Sequence, residues 1–393
     1  MSRVVYLSPV PVPEGGAAAR RILGIAKTLQ LAGIDVEVGS GGMAGGIARN
    51  MVEGVPVTRL SERTADHLPR SFRQLKYLTI GRRSLRWLDA LRPRPTSVIL
   101  YGGYTPYLLR LHHWCSRHGV SLTFDAVEWY QPRRPIDAWI SPYYWNIQLA
   151  MRWLSPATGH TIAISSYLAD HYRAKGCDVV RIPPTLDTEA VLAGPGSDGK
   201  RLLLAYAGTP GHKDLFDVQL EAVMSLDPLG EKLLLRIAGV DETTILKSPA
   251  MRRRGLSALP PCIETLGVTT GDTARDLVAT ADFSLLLRDR NRVSEAGFPT
   301  KVVESLAVGT PVIGTLTGDL YRHLRNGETA LVCGDATVPT LQAAIRDAMA
   351  MTPDNRREMR TNARNEAVSS FDIRVHAASL REFITRGEIA AVE

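Results

Sequence analysis

The stretch "FSLLLRDRNRVSEAGFPTKVVESLAVGTPVIG" (residues 283–314) reads as strand, loop, helix and strand. "FSLLL" is an apolar run of strand length, and "PVIG" (311–314) is a second one. Between them a helix begins at Pro299, where a missing backbone N–H costs nothing in the first turn. Gly309 and Pro311 supply its stop. Val302, Val303, Leu306 and Ala307 fall on the side that can cover a sheet, while Thr300, Lys301 and Glu304 share the other side.

The same alternation runs outward along nearly the whole chain. The first half carries strand patterns at 4–8, 34–39, 97–103, 120–126, 160–165 and 178–183, and the second at 201–208, 232–239, 263–267 and 330–334. Nearly continuous apolar strands separated by helices indicate parallel sheets covered on both faces, an α/β fold. After the first strand, Ile22, Ile25, Ala26 and Leu29 recur with helical period. At 393 residues the chain exceeds the usual limit of one core. The segment "LAGPGSDGKR" (192–201) reads as a linker. Two Rossmann-like, doubly wound domains are therefore expected at 1–190 and 200–370, with 371–393 a C-terminal helix packing back on the first. Ligands of such sheets bind at the carboxyl ends of the strands, and two such edges facing each other would make a cleft.

Composition narrows the class. Hydrophobic residues make up 45% and charged residues 22%, an ordinary globular balance. "MSRVVYLSPVPVPEGG" lacks the long apolar core of a signal peptide, and no apolar run approaches the ~20 residues of a membrane span. Cys115, Cys177, Cys262 and Cys333 show no zinc or redox spacing, which fits reduced thiols and a cytoplasmic protein. The net charge of +7 suits an acidic partner: a sugar nucleotide, an anionic membrane or nucleic acid.

Free N–H groups at Thr300 and Lys301, with the positive end of the helix dipole, make an anion site at the sheet edge. A carboxylate one turn further in would repel a phosphate that it touched. Glu304 can instead accept hydrogen bonds from the two hydroxyls of a ribose beside a diphosphate. The other reading is a Glu paired with Lys301 on a solvated surface.

At this point "FPTKVVESLAVGTPVIG" (298–314) resembles the nucleotide-sugar site of glycosyltransferase family 4, retaining enzymes with the GT-B fold of two Rossmann-like domains. "YAGTPGHKD" (206–214) is similar to that family's Gly-rich strand exit with its phosphate-binding Lys. "LRIAGVDE" (235–242) and "NGETALVCGD" (326–335) are similar to the strands that follow, and "PVPEGGAAARR" (11–21) is a weaker match in the first half. The resemblance implies transfer of a sugar from a nucleotide-diphosphate donor to an acceptor hydroxyl. It implies that Glu304 holds the ribose, that Gly208, Thr209, Thr300 and Lys301 line the phosphates, and that Lys213 meets the leaving charge. The Gly15–Gly16 loop would reach towards the donor from the amino-terminal domain. Attack would come on the face that the leaving group departs from, the donor phosphate accepting the acceptor proton.

Two departures stand out. Family members carry a second Glu eight residues before the ribose one; here that position is Ala296, with Glu295 its neighbour. They also carry Arg after the strand-exit Gly, where this chain has Thr209. Arg288, Arg290 and Arg292 are candidates for the missing diphosphate ligand, and backbone amides near Gly297, Phe298 and Pro299 for the sugar side. Neighbours in an extended loop point opposite ways, so Glu295 is not expected to replace the lost carboxylate.

"FDAVEWYQ" (124–131) leaves its strand with Asp125 and Glu128, either of which could orient an acceptor hydroxyl or serve loop hydrogen bonding. "GSGGMA" (39–44) satisfies a dinucleotide fingerprint but follows the second strand rather than the first. No Asp-x-Asp stands at a strand end, so no obligatory metal is expected, and no other cofactor is expected because the nucleotide sugar would be a substrate. Segment 70–94 holds eight basic residues against the single acid Asp89. It reads either as an anionic-membrane contact or as a solvated helix covering the sheet. No nucleic-acid module accompanies it. A nucleotide-sugar epimerase of related fold and a non-catalytic sugar-nucleotide-binding protein are the alternative functions.

Overall fold

The computed structural model describes residues 2–14, 16–42, 48–62, 77–130, 139, 141–197, 199–211 and 213–391. Gly15, His212, residues 43–44 of the "GSGGMA" stretch and residues 70–76 of the basic segment lie outside them. By internal contacts the chain forms two units. One comprises Met1–Asp187, Ala296–Phe298 and Asp372–Glu393, the other Thr188–Glu295 and Pro299–Phe371.

In the first unit the apolar runs become β1 Arg3–Ser8, β2 Asp35–Ser40, β3 Ala48–Val52, β4 Val55–Arg59, β5 Ser97–Tyr101, β6 Ser121–Ala126, β7 His160–Ala163 and β8 Asp178–Arg181. They make one sheet in the order β3-β4-β2-β1-β5-β6-β7-β8. Every pairing is parallel except β3 with β4. That antiparallel hairpin is absent from the apolar-run reading because β3, "ARNMV", has no buried face. Its turn is made by Glu53 and Gly54, both with positive φ, as a tight two-residue hairpin requires. Helix Ala17–Leu31 buries Ile22, Ile25, Ala26 and Leu29 on the sheet. Helix Ile373–Ala390 adds Leu380, Phe383 and Ile384 to the same core.

The second unit contains β9 Leu202–Ala207, β10 Leu233–Ala238, β11 Ile263–Thr265, β12 Phe283–Leu286, β13 Val312–Thr315 and β14 Ala330–Cys333. All are parallel, in the order β11-β10-β9-β12-β13-β14. Segment 192–201, read above as a linker, is instead held on this unit. Gly194 N–H donates to Val308 O (2.8 Å), Gly196 N–H to Ala279 O (3.2 Å) and Ser197 Oγ to Asp282 Oδ1 (2.7 Å). Gly194 serves close backbone approach there: a Cβ on it would sit 2.2 Å from Ala279 O. Among the described residues no helix is long and apolar enough to cross a membrane.

Candidate active site

From β9 the chain winds through β10 to β11 on one side of the sheet, then crosses to β12, β13 and β14 on the other. The crevice where such a winding reverses, at the carboxyl ends of β9 and β12, is where open parallel sheets bind ligands. Four polar side chains converge there. Tyr206 comes from the end of β9, Asp214 from the turn after it, Arg288 from just beyond β12 and Lys301 from helix Thr300–Ala307.

Lys301 Nζ lies 2.8 Å from Asp214 Oδ2 and 2.9 Å from Tyr206 Oη, and 4.1 Å from the centre of the Tyr206 ring. Arg288 Nε donates to Asp214 Oδ1 at 2.7 Å. Burial pushes the Asp214 carboxyl up, but the charges and hydrogen bonds of Arg288 and Lys301 outweigh it and hold the group below the usual carboxylate range. For Lys301 burial prevails, and its pKa is lowered despite the carboxylate beside it. Burial, and then Asp214, raise Tyr206. Two cations around one carboxylate leave these three groups with one positive charge in excess, and Glu304 acts on Lys301 from one turn further in. Gly208 closes the cluster from the strand exit. Its φ is +105°, and a Cβ there would lie 3.0 Å from Lys301 Cε.

Helix Thr300–Ala307 buries Val302, Val303, Ser305, Leu306 and Ala307, so Lys301 and Glu304 occupy the face left partly open. Ser305 is buried without penalty, being hydrogen-bonded to Ser284 Oγ and Thr310 O. Pro299 is the N-cap rather than the first helical residue, and no side chain caps this end. The N–H groups of Thr300 and Lys301 have no acceptor within the helix. The first turn of this anion-type terminus is thus anchored by Lys301 on Asp214.

The other expected residues are distributed as follows. Thr209 is exposed, and Lys213, beside Asp214, is half-buried. Arg290 is exposed and paired with Glu295 (Nε to Oε1, 3.2 Å); Arg292 is exposed as well. The loop before Gly297 is not extended, because Arg292–Ala296 forms a helical turn. Strand-like alternation therefore does not set the direction of Glu295; its pairing with Arg290 does. Ala296, Gly297, Phe298 and Pro299 are buried, and the first three group with the first unit.

Gly16, Asp125 and Glu128 belong to that first unit. Gly16 stands before helix Ala17–Leu31 with φ 58° and ψ −130°, a conformation that a side chain disfavours. Glu128 is exposed two residues beyond β6. Asp125 is fully buried. It accepts from Arg21 Nη2 (2.9 Å), Arg21 Nε (3.2 Å) and Tyr6 Oη. Arg21 also donates to the carbonyls of Ile182 (2.6 Å) and Pro183 (2.7 Å). Asp125 is thus an internal brace with no surface to offer an acceptor hydroxyl, which corrects the expectation above. Neither Asp214 nor Tyr206 stood out from the sequence alone. Their one visible signal was proximity to the Gly-rich strand exit.

Residues 16–185 match the family model of the glycosyl transferase 4-like domain, and residues 187–366 that of glycosyl transferases group 1. No curated protein matches the chain. Among solved structures it is similar to sucrose-phosphate synthase from Thermosynechococcus elongatus, with 13% identity, a TM-score of 0.75 and all of both chains covered. Anabaena HepE in complex with UDP-glucose aligns at 12% identity and a TM-score of 0.68, over 98% of this chain and 100% of that one. The α,α-trehalose 6-phosphate synthase from Burkholderia multivorans aligns at 15% and 0.69, over all of both chains. At such identities the likeness bears on the fold, which is GT-B. The two family models follow one another and together match most of the sequence, residues 16–185 and 187–366, so the chain belongs to the GT4-like, group 1 glycosyltransferases.

Proposed function

We propose that the protein is a retaining transferase that moves a sugar from a nucleotide-diphosphate donor, bound on the second unit, to a hydroxyl acceptor bound on the first. The observation that carries this reading is the switch-point crevice. Two cations on one carboxylate and an uncapped helix terminus share one sheet edge with a second carboxylate one turn further in. Diphosphate oxygens take the amides of Thr300 and Lys301, and Glu304 takes the two ribose hydroxyls. Arg288, locked on Asp214, fills the place of the missing Arg after Gly208 better than exposed Arg290 or Arg292, because a buried charge is less screened. The bond from the sugar's anomeric carbon to the diphosphate breaks as the acceptor oxygen bonds on the same face. The acceptor proton passes to the departing phosphate oxygen. Lys213 meets the charge that develops there. Glu128 orients the acceptor hydroxyl. The enzyme works in the cytoplasm, at an anionic membrane surface met by segment 70–94.

Incubation with a panel of nucleotide sugars tests the class: slow donor hydrolysis is expected, whereas an epimerised sugar would point to the related epimerases and inertness to a binding protein. Glu304→Ala removes two charge-assisted hydrogen bonds of about 1.5–3 kcal/mol each, so nucleotide affinity falls at least ~10-fold per bond. Unchanged affinity for the free nucleotide, read by calorimetry, rules out the ribose role. Glu295→Gln, by contrast, leaves transfer within a few-fold, because a carboxylate paired with an exposed Arg contributes little. A loss of about two orders of magnitude, the scale of a lost electrostatic contact to the transition state, would assign Glu295 to the sugar.

A further inference from the structure

The six tryptophans divide sharply. Trp87, Trp114 and Trp129 are buried, while Trp139, Trp145 and Trp153 are 79%, 53% and 70% exposed and fall within fifteen residues of one another. Large apolar side chains gathered on one surface mark an interaction site. Helix Pro142–Leu149 and the π-helical turn Ala150–Leu154 that continues it bury Ile147, Ala150 and Met151 on one face. Trp145, Leu149 and Trp153 recur every fourth residue and stay exposed. The inner face of the helix is thus satisfied, and its outer face presents indoles.

This aromatic face is continuous with a cationic one. Ring contacts run from Trp145 to Tyr144 (5.7 Å), Tyr130 (6.5 Å), Tyr143 (5.0 Å), Tyr104 (6.5 Å) and Tyr77 (5.9 Å). Tyr77 is followed by exposed Leu78 and then by helix Arg82–Ala90. That helix buries Ser84, Trp87 and Leu88 and exposes Arg82, Arg83 and Arg86, none of which has an ion-pair partner among the described residues. Exposed indoles beside unpaired guanidinium groups match one surface chemically: indoles favour the interfacial layer of a bilayer, and guanidinium groups favour anionic headgroups.

We propose that the Trp139–Trp153 face inserts into the interface of an anionic lipid bilayer, with Arg82, Arg83 and Arg86 on the headgroups beside it. The proposal rests on the membrane reading of segment 70–94 for its charge and adds the inserting surface, which that reading did not contain. The full-length protein is mixed with vesicles of phosphatidylcholine alone or with added phosphatidylglycerol. Sedimentation and tryptophan emission are then followed.

Binding to the anionic vesicles alone is expected, with a blue shift of emission and protection from iodide quenching. Trp145→Ala with Trp153→Ala weakens it by roughly ten-fold or more per indole, at the scale of apolar area withdrawn from water. Each Arg→Ala change weakens it about five-fold, the equivalent of ~1 kcal/mol per charge. Thermal denaturation of the variants shows that the fold is kept, since the replaced side chains are exposed. Wild-type protein that ignores both vesicles overturns the proposal and leaves this face to a protein partner. Wild-type protein that binds both equally overturns the anionic requirement. If the double Trp variant binds as wild type and no emission shift occurs, insertion is overturned while the basic segment's own contact stands.

Discussion

Asp125→Ala is expected to remove about 3–5 kcal/mol from the stability of the first unit, the range for breaking one half of a buried ion pair. The loss is not the value of the pair itself. It arises because Arg21 would be left charged and fully buried, with only the Ile182 and Pro183 carbonyls and no carboxylate. Burial alone would lower the pKa of Arg21, yet the charge and hydrogen bonds of Asp125 outweigh burial and raise it. Asp125→Ala removes that support and leaves burial, yet the ordinary pKa of an arginine lies so far above neutrality that the guanidinium keeps its proton and bears the penalty. Tyr6, whose own pKa is raised by burial and by Asp125, would also lose its acceptor. All six tryptophans lie in the first unit, so their fluorescence during denaturant unfolding reports on that unit. A loss below about 1 kcal/mol, the scale of a surface pair, would mean that Asp125 is no brace. Where the variant remains folded its kcat should be preserved, because a brace does not touch the acceptor.

Lys213→Ala should lower kcat by roughly 10²–10³, the scale of a lost electrostatic donor. Lys301 and Arg288 are both bound to Asp214, and their field is present in ground and transition states alike. A charge that appears only as the diphosphate departs is best met by a cation that adjusts to it. Lys213 directly precedes the anchored Asp214, so its backbone is positioned by the cluster, and its four-carbon stem gives its ammonium reach. Affinity for the free nucleotide should change much less than kcat, and Lys213→Arg should restore part of the rate. A near-normal kcat in Lys213→Ala would transfer the role to Arg290 or Arg292.

The periodicity of the chain was enough for the fold class. Strands buried on both faces must be apolar throughout, and helices between them must alternate with a 3.6-residue period. Both are local properties, as the run from "FSLLL" to "PVIG" and the buried side of helix Thr300–Ala307 illustrate. The hairpin β3–β4 escaped because an edge strand with no buried face has no such signature. Charge partnership was not legible either. Asp125 and Arg21 are 104 residues apart, and Tyr206 and Lys301 are 95 apart. Asp125 looked like a strand-end carboxylate facing an acceptor or serving its loop, and Lys301 like a residue offering its amide to a phosphate or its side chain to Glu304, with no sign of Arg21 or of Asp214 and Tyr206 as the partners. A burial pattern specifies which face of a strand or helix turns inward, and neighbours in sequence suffice to write it. Which charges then meet depends on tertiary placement, here on β12 lying beside β9 and on Arg21 of helix Ala17–Leu31 meeting Asp125 of β6, and only the tertiary structure decides that.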